Sequence, residues 1–376
     1  MSSGPAPSQL TIWVVSDGRA GIENQALGLA EAVKRQLEPE HQSEIVTLRV
    51  RLDFPADKIA PFVFGDIWQG LKFADDPSRM HLEGLAESLR KGDGLVAPDS
   101  WPDLWPDLWI ACGRQTVPLT IDLCRRGRSL ISGQGPAAPF CVQLQNPRRS
   151  SALFDLVVAP NHDHLSGKNV FSMIGAPNRI HETTIDKARE KLRHVLGFPS
   201  GSKRVPVTIM VGGPNKVFPF AARDQERLVA AIEQEARLGR SVIVSASRRT
   251  PAVFAERLRT VTAAAGGYFY DPQHDEPGSN PYPGVLGLGG PVLVTEDSVN
   301  MLSEAATAGV ALYRFPLVER RRPVTKFDSL VRTLRDGRHL RDYDANLEHF
   351  SPPSFLETDR AAKALIDAYY RSLSST

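Results

Sequence analysis

Short apolar runs alternate with stretches of helical periodicity along this chain, and that alternation constrains the fold more than any other feature. Residues 11–16 (TIWVVS) form an apolar run that stops at Asp17-Gly18. Over residues 23–37, Leu27, Ala30, Val33 and Leu37 then fall on one helical face. Residues 44–52 alternate like a strand, residues 107–111, 140–144, 154–159 and 170–174 are further apolar runs, and residues 182–196 are amphipathic. A Gly-, Pro- and Ser-rich stretch, residues 197–204 (GFPSGSKR), reads as a linker. Alternation then restarts, with strands predicted at 207–211, 241–245, 268–270, 292–295 and 310–313 and helices at 223–237, 251–264 and 298–308. Two β/α sets joined by a linker predict an α/β protein of two Rossmann-like, doubly wound parallel-sheet domains facing a cleft. The domains are expected at residues 1–200 and 201–350, with a C-terminal helix in residues 351–376 packing back on the first domain.

Composition excludes several functions. The chain has 376 residues, 41% hydrophobic and 23% charged, as in ordinary globular proteins. Its 45 Lys and Arg nearly cancel its 43 Asp and Glu, which argues against a dedicated nucleic-acid binder. Cys112, Cys124 and Cys141 lack CxxC spacing and a nearby His pair, so neither a disulfide framework nor a structural zinc site is expected. Thiols of this kind suit a reducing compartment, and the expected location is the cytoplasm, with at most peripheral contact at the inner membrane. Residues 1–9 have no basic, apolar leader pattern, and no apolar run approaches the roughly 18 residues needed to span a bilayer.

In open α/β sheets, ligands bind beyond the carboxyl ends of the strands. The first strand is followed by Asp17, Gly18, Arg19 and Gly21, with Asn24 opening a helix. Asp17 is a candidate general base there, and a plain turn capped by Asp17 is the competing reading. After the restart strand, Gly212 and Gly213 offer backbone N–H groups for a phosphate, with Asn215 and Lys216 beside them. This is neither a Walker A loop nor GxGxxG, and an ordinary glycine turn is the alternative. Arg248 and Arg249 follow the next strand, where a guanidinium fork suits a diphosphate, while Thr250 and Pro251 read as a helix start. Glu296, Asp297, Ser298 and Asn300 stand at another helix start, with Glu304 two turns in and within reach of ribose hydroxyls. A capped helix with a solvated Glu304 is the competing reading. Arg114 follows a further strand.

Weaker features complete the inventory. His162 and His164 have no evident third metal ligand, Arg320-Arg321-Arg322 reads as a solvated loop, and the Gly- and Pro-rich residues 271–290 read as a long surface loop. Trp101-Pro102-Asp103-Leu104 is echoed once by the next four residues, and the aromatic residues 59–73 are expected in the core. Asp75-Asp76 precedes a Pro-Ser turn rather than a strand end, so no metal site is expected, and no GxSxG elbow is present.

Taken together, the motifs SDGRAGIENQALGLAEAV, IACGRQTVPL, VQLQNPR, FDLVVAPNHDHLSGKNV, VGGPNK, SASRRTP and TEDSVNMLSEAATAGVAL resemble the mitochondrial-fission (elongated mitochondria) family of plants and bacteria. Its members are often labelled glycosyltransferases of GT-B architecture. The resemblance runs from about Trp13 to Phe315. The C-terminal half also resembles, more distantly, the lipid-linked GlcNAc transferase of peptidoglycan synthesis, whose ribose-contacting serine-glutamate pair matches Ser303-Glu304. The first loop departs from that enzyme, lacking its glycine-rich segment with histidine. The resemblance implies that Gly212, Gly213, Arg249, Ser298 and Asn300 line a diphosphate and Glu304 the ribose, in a nucleotide-sugar domain. Asp17 to Gly21 would face the acceptor and sugar, with Asp17 and Arg19 as catalytic candidates. The expected activity is metal-independent sugar transfer, without a cofactor, from a nucleotide-diphosphate sugar to a cell-envelope or lipid-linked acceptor. A nucleotide-sugar epimerase and a fission-type adaptor that keeps the fold are the alternatives.

Overall fold

The computed structural model describes residues 9–38, 42–52, 71–73, 106–130, 139–197, 205–274, 281–318, 320–321 and 325–374. Residues 59–70, Asp75-Asp76, most of the Trp-Pro-Asp-Leu echo, residues 198–204 of the expected linker and Arg322 lie outside them. The chain divides into two compact units, residues 1–179 with 357–376, and residues 180–356.

Unit 1 holds a seven-stranded sheet in the order β3-β2-β1-β4-β5-β6-β7. Its strands are β1 (Gln9–Ser16), β2 (Gln42–Leu52), β3 (Leu71–Phe73), β4 (Leu108–Cys112), β5 (Phe140–Leu144), β6 (Leu156–Pro160) and β7 (Val170–Met173). All pair in parallel except the edge strand β3, which runs antiparallel to β2. Every residue of β4 and β5 is buried, as expected of strands covered on both faces. Helices α1 (Ala20–Leu37) and α2 (Val117–Leu130) follow β1 and β4.

Unit 2 repeats the plan. Strands β8 (Val207–Val211), β9 (Val242–Ala246), β10 (Tyr268–Tyr270), β11 (Val292–Thr295), β12 (Leu312–Phe315) and β13 (Leu340–Asp342) form a parallel sheet in the order β10-β9-β8-β11-β12-β13. Its helices are α3 (Glu182–Val195), α4 (Ala222–Arg237), α5 (Ala252–Ala264), α6 (Tyr282–Gly287), α7 (Val299–Thr307) and α8 (Thr325–Asp336). Numbered within the unit, the unit 2 order reads 3-2-1-4-5-6, the order of dinucleotide-binding Rossmann sheets, and unit 1 follows the same order with a seventh strand added at the β6 edge and its third strand antiparallel. Each therefore has a switch point where the winding reverses, between β1 and β4 in unit 1 and between β8 and β11 in unit 2.

The unit boundary falls at Arg179/Ile180, upstream of the expected linker, because α3 packs on α6 within unit 2. That packing corrects the surface-loop reading of residues 271–290 at Tyr282–Gly287, while residues 275–280 of the stretch lie outside the described ones. A Cβ on Gly284 would come within 2.4 Å of the Ala188 carbonyl oxygen, so glycine there lets the two helices meet backbone to backbone. Residues 351–356 also belong to unit 2. The final helix, α9 (Glu357–Ser374), belongs to unit 1, where Ala361, Leu365 and Tyr369, at i, i+4 and i+8, join Ala26, Ala30 and Val33 of α1 in the core. Arg35 pairs with Asp359 at 2.9 Å, and the Ile174 N–H donates to the Glu357 carboxylate at 2.7 Å. Among the described residues no helix is long and apolar enough to cross a membrane.

Candidate functional site

In unit 2 the ends of β8, β9 and β11 meet at the switch point around one buried carboxylate, Asp297. Its Oδ2 accepts the Gly213 N–H at 3.0 Å and Arg249 Nη2 at 2.8 Å, and Arg249 Nη1 also donates to the Gly213 carbonyl. The Gly212 N–H donates to Thr295 Oγ1 at 2.8 Å. The amides expected to cradle a phosphate are therefore bonded within the chain, and Arg249 is held by Asp297 rather than free for a diphosphate. The glycines are required by close packing. A Cβ on Gly212 would fall 2.2 Å from Asp297 Oδ2, and one on Gly213 would fall 2.0 Å from the Arg249 carbonyl oxygen. Burial pushes the Asp297 carboxyl above its ordinary range, against the pull of Arg249 and the Gly213 N–H.

Neighbouring residues serve the same frame. Thr250 does not cap α5, whose N-cap is Pro251. Its hydroxyl donates to the Gly212 carbonyl at 2.6 Å and accepts from the Ser247 N–H at 2.9 Å, pinning the β9 turn to the end of β8. The Asn215 side chain accepts from the N–H groups of Val217 and Phe218 and donates to the Asp297 carbonyl, closing its own turn. Glu296 is buried, and burial raises its pKa. It is held by Arg314 and Arg320, both at 3.0 Å, and by the Leu317 N–H. It therefore ties the ends of β11 and β12, and Arg320, which also pairs with Asp328, is held in ion pairs rather than standing in a solvated loop.

Ser298 caps α7, accepting from the Met301 N–H. The Ser303 hydroxyl donates to the Val299 carbonyl and is buried within the helix. Glu304 is half-buried rather than solvated, and it accepts a 2.5 Å hydrogen bond from the Tyr282 hydroxyl. Burial pushes the Glu304 carboxyl up to about 7, while the Tyr282 bond pulls the other way. Tyr282 itself is raised well above the usual phenol range by burial and by Glu304. Asn300 lies half-buried on the first turn of α7, and Lys216 and Arg248 are exposed at the ends of β8 and β9.

In unit 1, Arg19 is the N-cap of α1 without a side-chain cap bond. Asp17 accepts from the Arg19 guanidinium, 2.6 Å at the shortest, and from the Arg19 N–H at 3.2 Å. Its side chain is 2% exposed against 67% for that of Arg19, so the arginine lies over a buried carboxylate. Beside them the Ser16 hydroxyl donates to Glu23 at 2.9 Å and accepts the Gly18 N–H. Gln145 and Arg148 hold the left-handed backbone conformation after β5, at φ 66° and 53°. Gln145 reaches Gln25 of α1 at 3.0 Å. Gly21 and Asn24 lie within α1, and Arg114 is exposed after β4.

A family model described as Mitochondrial fission ELM1 matches residues 20–369. The chain belongs to the mitochondrial fission ELM1 family. Within the family it is 24% identical to the mitochondrial fission protein ELM1 of Arabidopsis thaliana, the match covering 93% of this chain and 88% of the plant protein. An uncharacterized protein of Rickettsia prowazekii is 25% identical, over 81% of this chain and 83% of its own length. Among solved structures, the ELM1-family chain resembles glycosyltransferases and nucleotide-sugar epimerases. The UDP-GlcNAc 2-epimerase of Methanocaldococcus jannaschii is 12% identical, with a TM-score of 0.45 over 96% of this chain and 92% of that one.

The structure adds residues that reading this ELM1-family sequence missed. Tyr282 sits in the stretch read as loop, 22 positions from its partner Glu304. Thr295 ends a strand and looks like any β-branched strand residue. Gln25, Gln143 and Gln145 are polar residues in buried or half-buried positions, and only Gln143, inside the apolar run of β5, carried a signal in the sequence.

Proposed function

We propose that this chain transfers a sugar from a nucleoside-diphosphate sugar to an acceptor hydroxyl, with unit 2 holding the nucleotide. The observation that carries the reading is the switch point of unit 2, where three strand ends and the start of α7 gather into one polar patch, the position at which doubly wound sheets bind nucleotides. Glu304 is the group assigned to the ribose, whose hydroxyls would take the place of the Tyr282 phenol. Because Asp297 occupies Arg249 and the Gly213 amide, and Thr295 the Gly212 amide, the diphosphate falls to the exposed Lys216 and Arg248 and to the start of α7 with Ser298 and Asn300. Asp17 is assigned as the base for the acceptor hydroxyl. It can accept a proton once Arg19 swings away from it. The acceptor, a cell-envelope or lipid-linked sugar, would be met from a reducing compartment at a membrane surface.

One observation favours the adaptor as a second reading. The Asp297 carboxylate fills the cradle of Gly213 and Arg249, as suits a chain with no phosphate to hold there. Thermal unfolding against UDP, GDP, ADP, CMP and their sugar conjugates separates the two. Saturating the folded state to about a hundred times Kd stabilises it by about 2.7 kcal/mol. A rise in melting temperature with one nucleotide, reduced in Glu304→Gln and in the pair Lys216→Ala with Arg248→Ala, supports the transferase. No rise with any nucleotide at millimolar concentration leaves the adaptor.

A further inference from the structure

Two of the three cysteines, far apart in sequence and on different elements, meet a carboxylate in unit 1. Cys124 lies on α2, one turn on from Ile121, which with Val117 packs against Val157 and Ala159 of β6. Cys141 lies on β5, and Asp155 directly precedes β6. The two thiol sulfurs and a carboxylate oxygen of Asp155 lie within 4.8 Å of one another. The Asp155 carboxylate is fixed in place by the Cys141 N–H, which donates to its Oδ2 at 2.8 Å, and the same oxygen lies 3.8 Å from Cys124 Sγ. The Cys141 thiol donates to the Pro139 carbonyl at 3.4 Å.

We propose that Cys124, Cys141 and Asp155 form a binding site for a thiolate-seeking divalent cation of the zinc class. In a tetrahedral zinc site with metal–sulfur bonds of about 2.3 Å, ligand atoms sit roughly 3.5 to 3.8 Å apart, so the cluster needs only a contraction of about 1 Å. Both thiols ionise as the cation enters: two S–H bonds break, two metal–sulfur bonds form and two protons leave to solvent, while Asp155 supplies a carboxylate oxygen. A fourth ligand has a route in. Asp155 lines a cavity of about 610 Å³ together with Lys168, Asn169 and Arg371, and a water that completes the coordination would enter from this Asp155 side, since neither cysteine lines the cavity. The cavity lining beside Asp155 carries two cations, Lys168 and Arg371, against one further anion, Asp367, so its balance favours the excess negative charge of two thiolates and a carboxylate around a divalent ion. The ligand spacing explains why sequence motifs do not report the site: Cys141 is 14 residues from Asp155, and Cys124 is 31.

The site is separate from the residues assigned to sugar transfer, so it stands or falls independently of that reading. Cobalt titration of the reduced full-length protein tests it. One Co²⁺ per chain should bind with a near-ultraviolet thiolate-to-cobalt charge-transfer band, and Zn²⁺ should displace it. Cys124→Ser and Cys141→Ser should each abolish the band, Asp155→Asn should weaken binding by ten- to a hundredfold, and Cys112→Ser should leave it unchanged. Competition with a chromophoric chelator gives the zinc affinity of the wild-type chain without any variant, and a sub-micromolar Kd at one ion per chain is expected. Absence of the band, a zinc Kd above tens of micromolar, or a band that survives in a folded Cys124→Ser protein overturns the proposal.

Discussion

Each unit carries, at the carboxyl edge of its sheet, a buried aspartate under an arginine: Asp17 with Arg19 in unit 1 and Asp297 with Arg249 in unit 2. They differ in reach. Asp17 takes its arginine from two positions along the chain and closes only its own turn. Asp297 takes its partners from 84 and 48 positions away and so ties the ends of β8, β9 and β11 together. A local pair can open without disturbing the sheet, and a long-range tie cannot. The first therefore suits a group that must exchange partners during a reaction, and the second suits a frame. The same chemistry thus supplies an exposed lid over a buried carboxylate in one unit and a structural rivet in the other.

That contrast can be broken experimentally. Gly213→Ala should have the largest effect, because its methyl would be driven into the Arg249 backbone. A loss of more than about 3 kcal/mol in denaturant unfolding is expected. Asp297→Ala strands a buried amide and an arginine, and should cost about 2 to 3 kcal/mol, less than a fully buried pair because Arg249 reaches solvent. A cost under about 0.5 kcal/mol there would abolish the distinction between lid and rivet.

Glu304 should show itself in pH dependence. Its folded pKa, about 7, lies above its ordinary value because of burial. The protonated form is thus favoured by folding, and this stability is complete below about pH 4.5 and is lost as pH rises through 7. Glu304→Gln should remove that slope and be more stable than wild type at pH 8 by about 1 to 2 kcal/mol, after discounting for water at a half-buried site. Parallel stability–pH curves for the two proteins would show Glu304 to be ordinarily solvated. Arg19→Ala should be the mildest, costing less than about 1 kcal/mol in thermal unfolding. A larger loss would make the unit 1 pair a second rivet.

The architecture was legible because burial on both faces leaves parallel strands as plain apolar runs, as in TIWVVS and VTIMV, each ending at a glycine or an acid. The helix α6 was not legible, since glycine and proline mark loops by local propensity, and only the backbone of α3 reveals that Gly284 is there for contact. At the site, the positions at strand ends could be read, and their uses could not. Arg249 at a strand end looks the same in sequence whether it faces a phosphate or Asp297. Thr250 before a proline has every local mark of a helix cap, yet its hydroxyl is spent on the Gly212 carbonyl. Tyr282 and Glu304 come from two helices whose meeting is decided by the packing of unit 2.

The return of α9 to unit 1 sets an order of assembly. Unit 2 is one uninterrupted segment, whereas unit 1 waits for a helix whose Asp359 contacts Arg35 across 324 residues. During synthesis, domains fold as their chain emerges. Here the later-made unit has all its parts first, and the earlier-made one stays with the flank of α1 uncovered until translation reaches the C-terminal helix. Ribosome-bound chains stopped before residue 357 would carry a finished second sheet beside an apolar surface still waiting for its cover, which is where a chaperone would be expected to hold them.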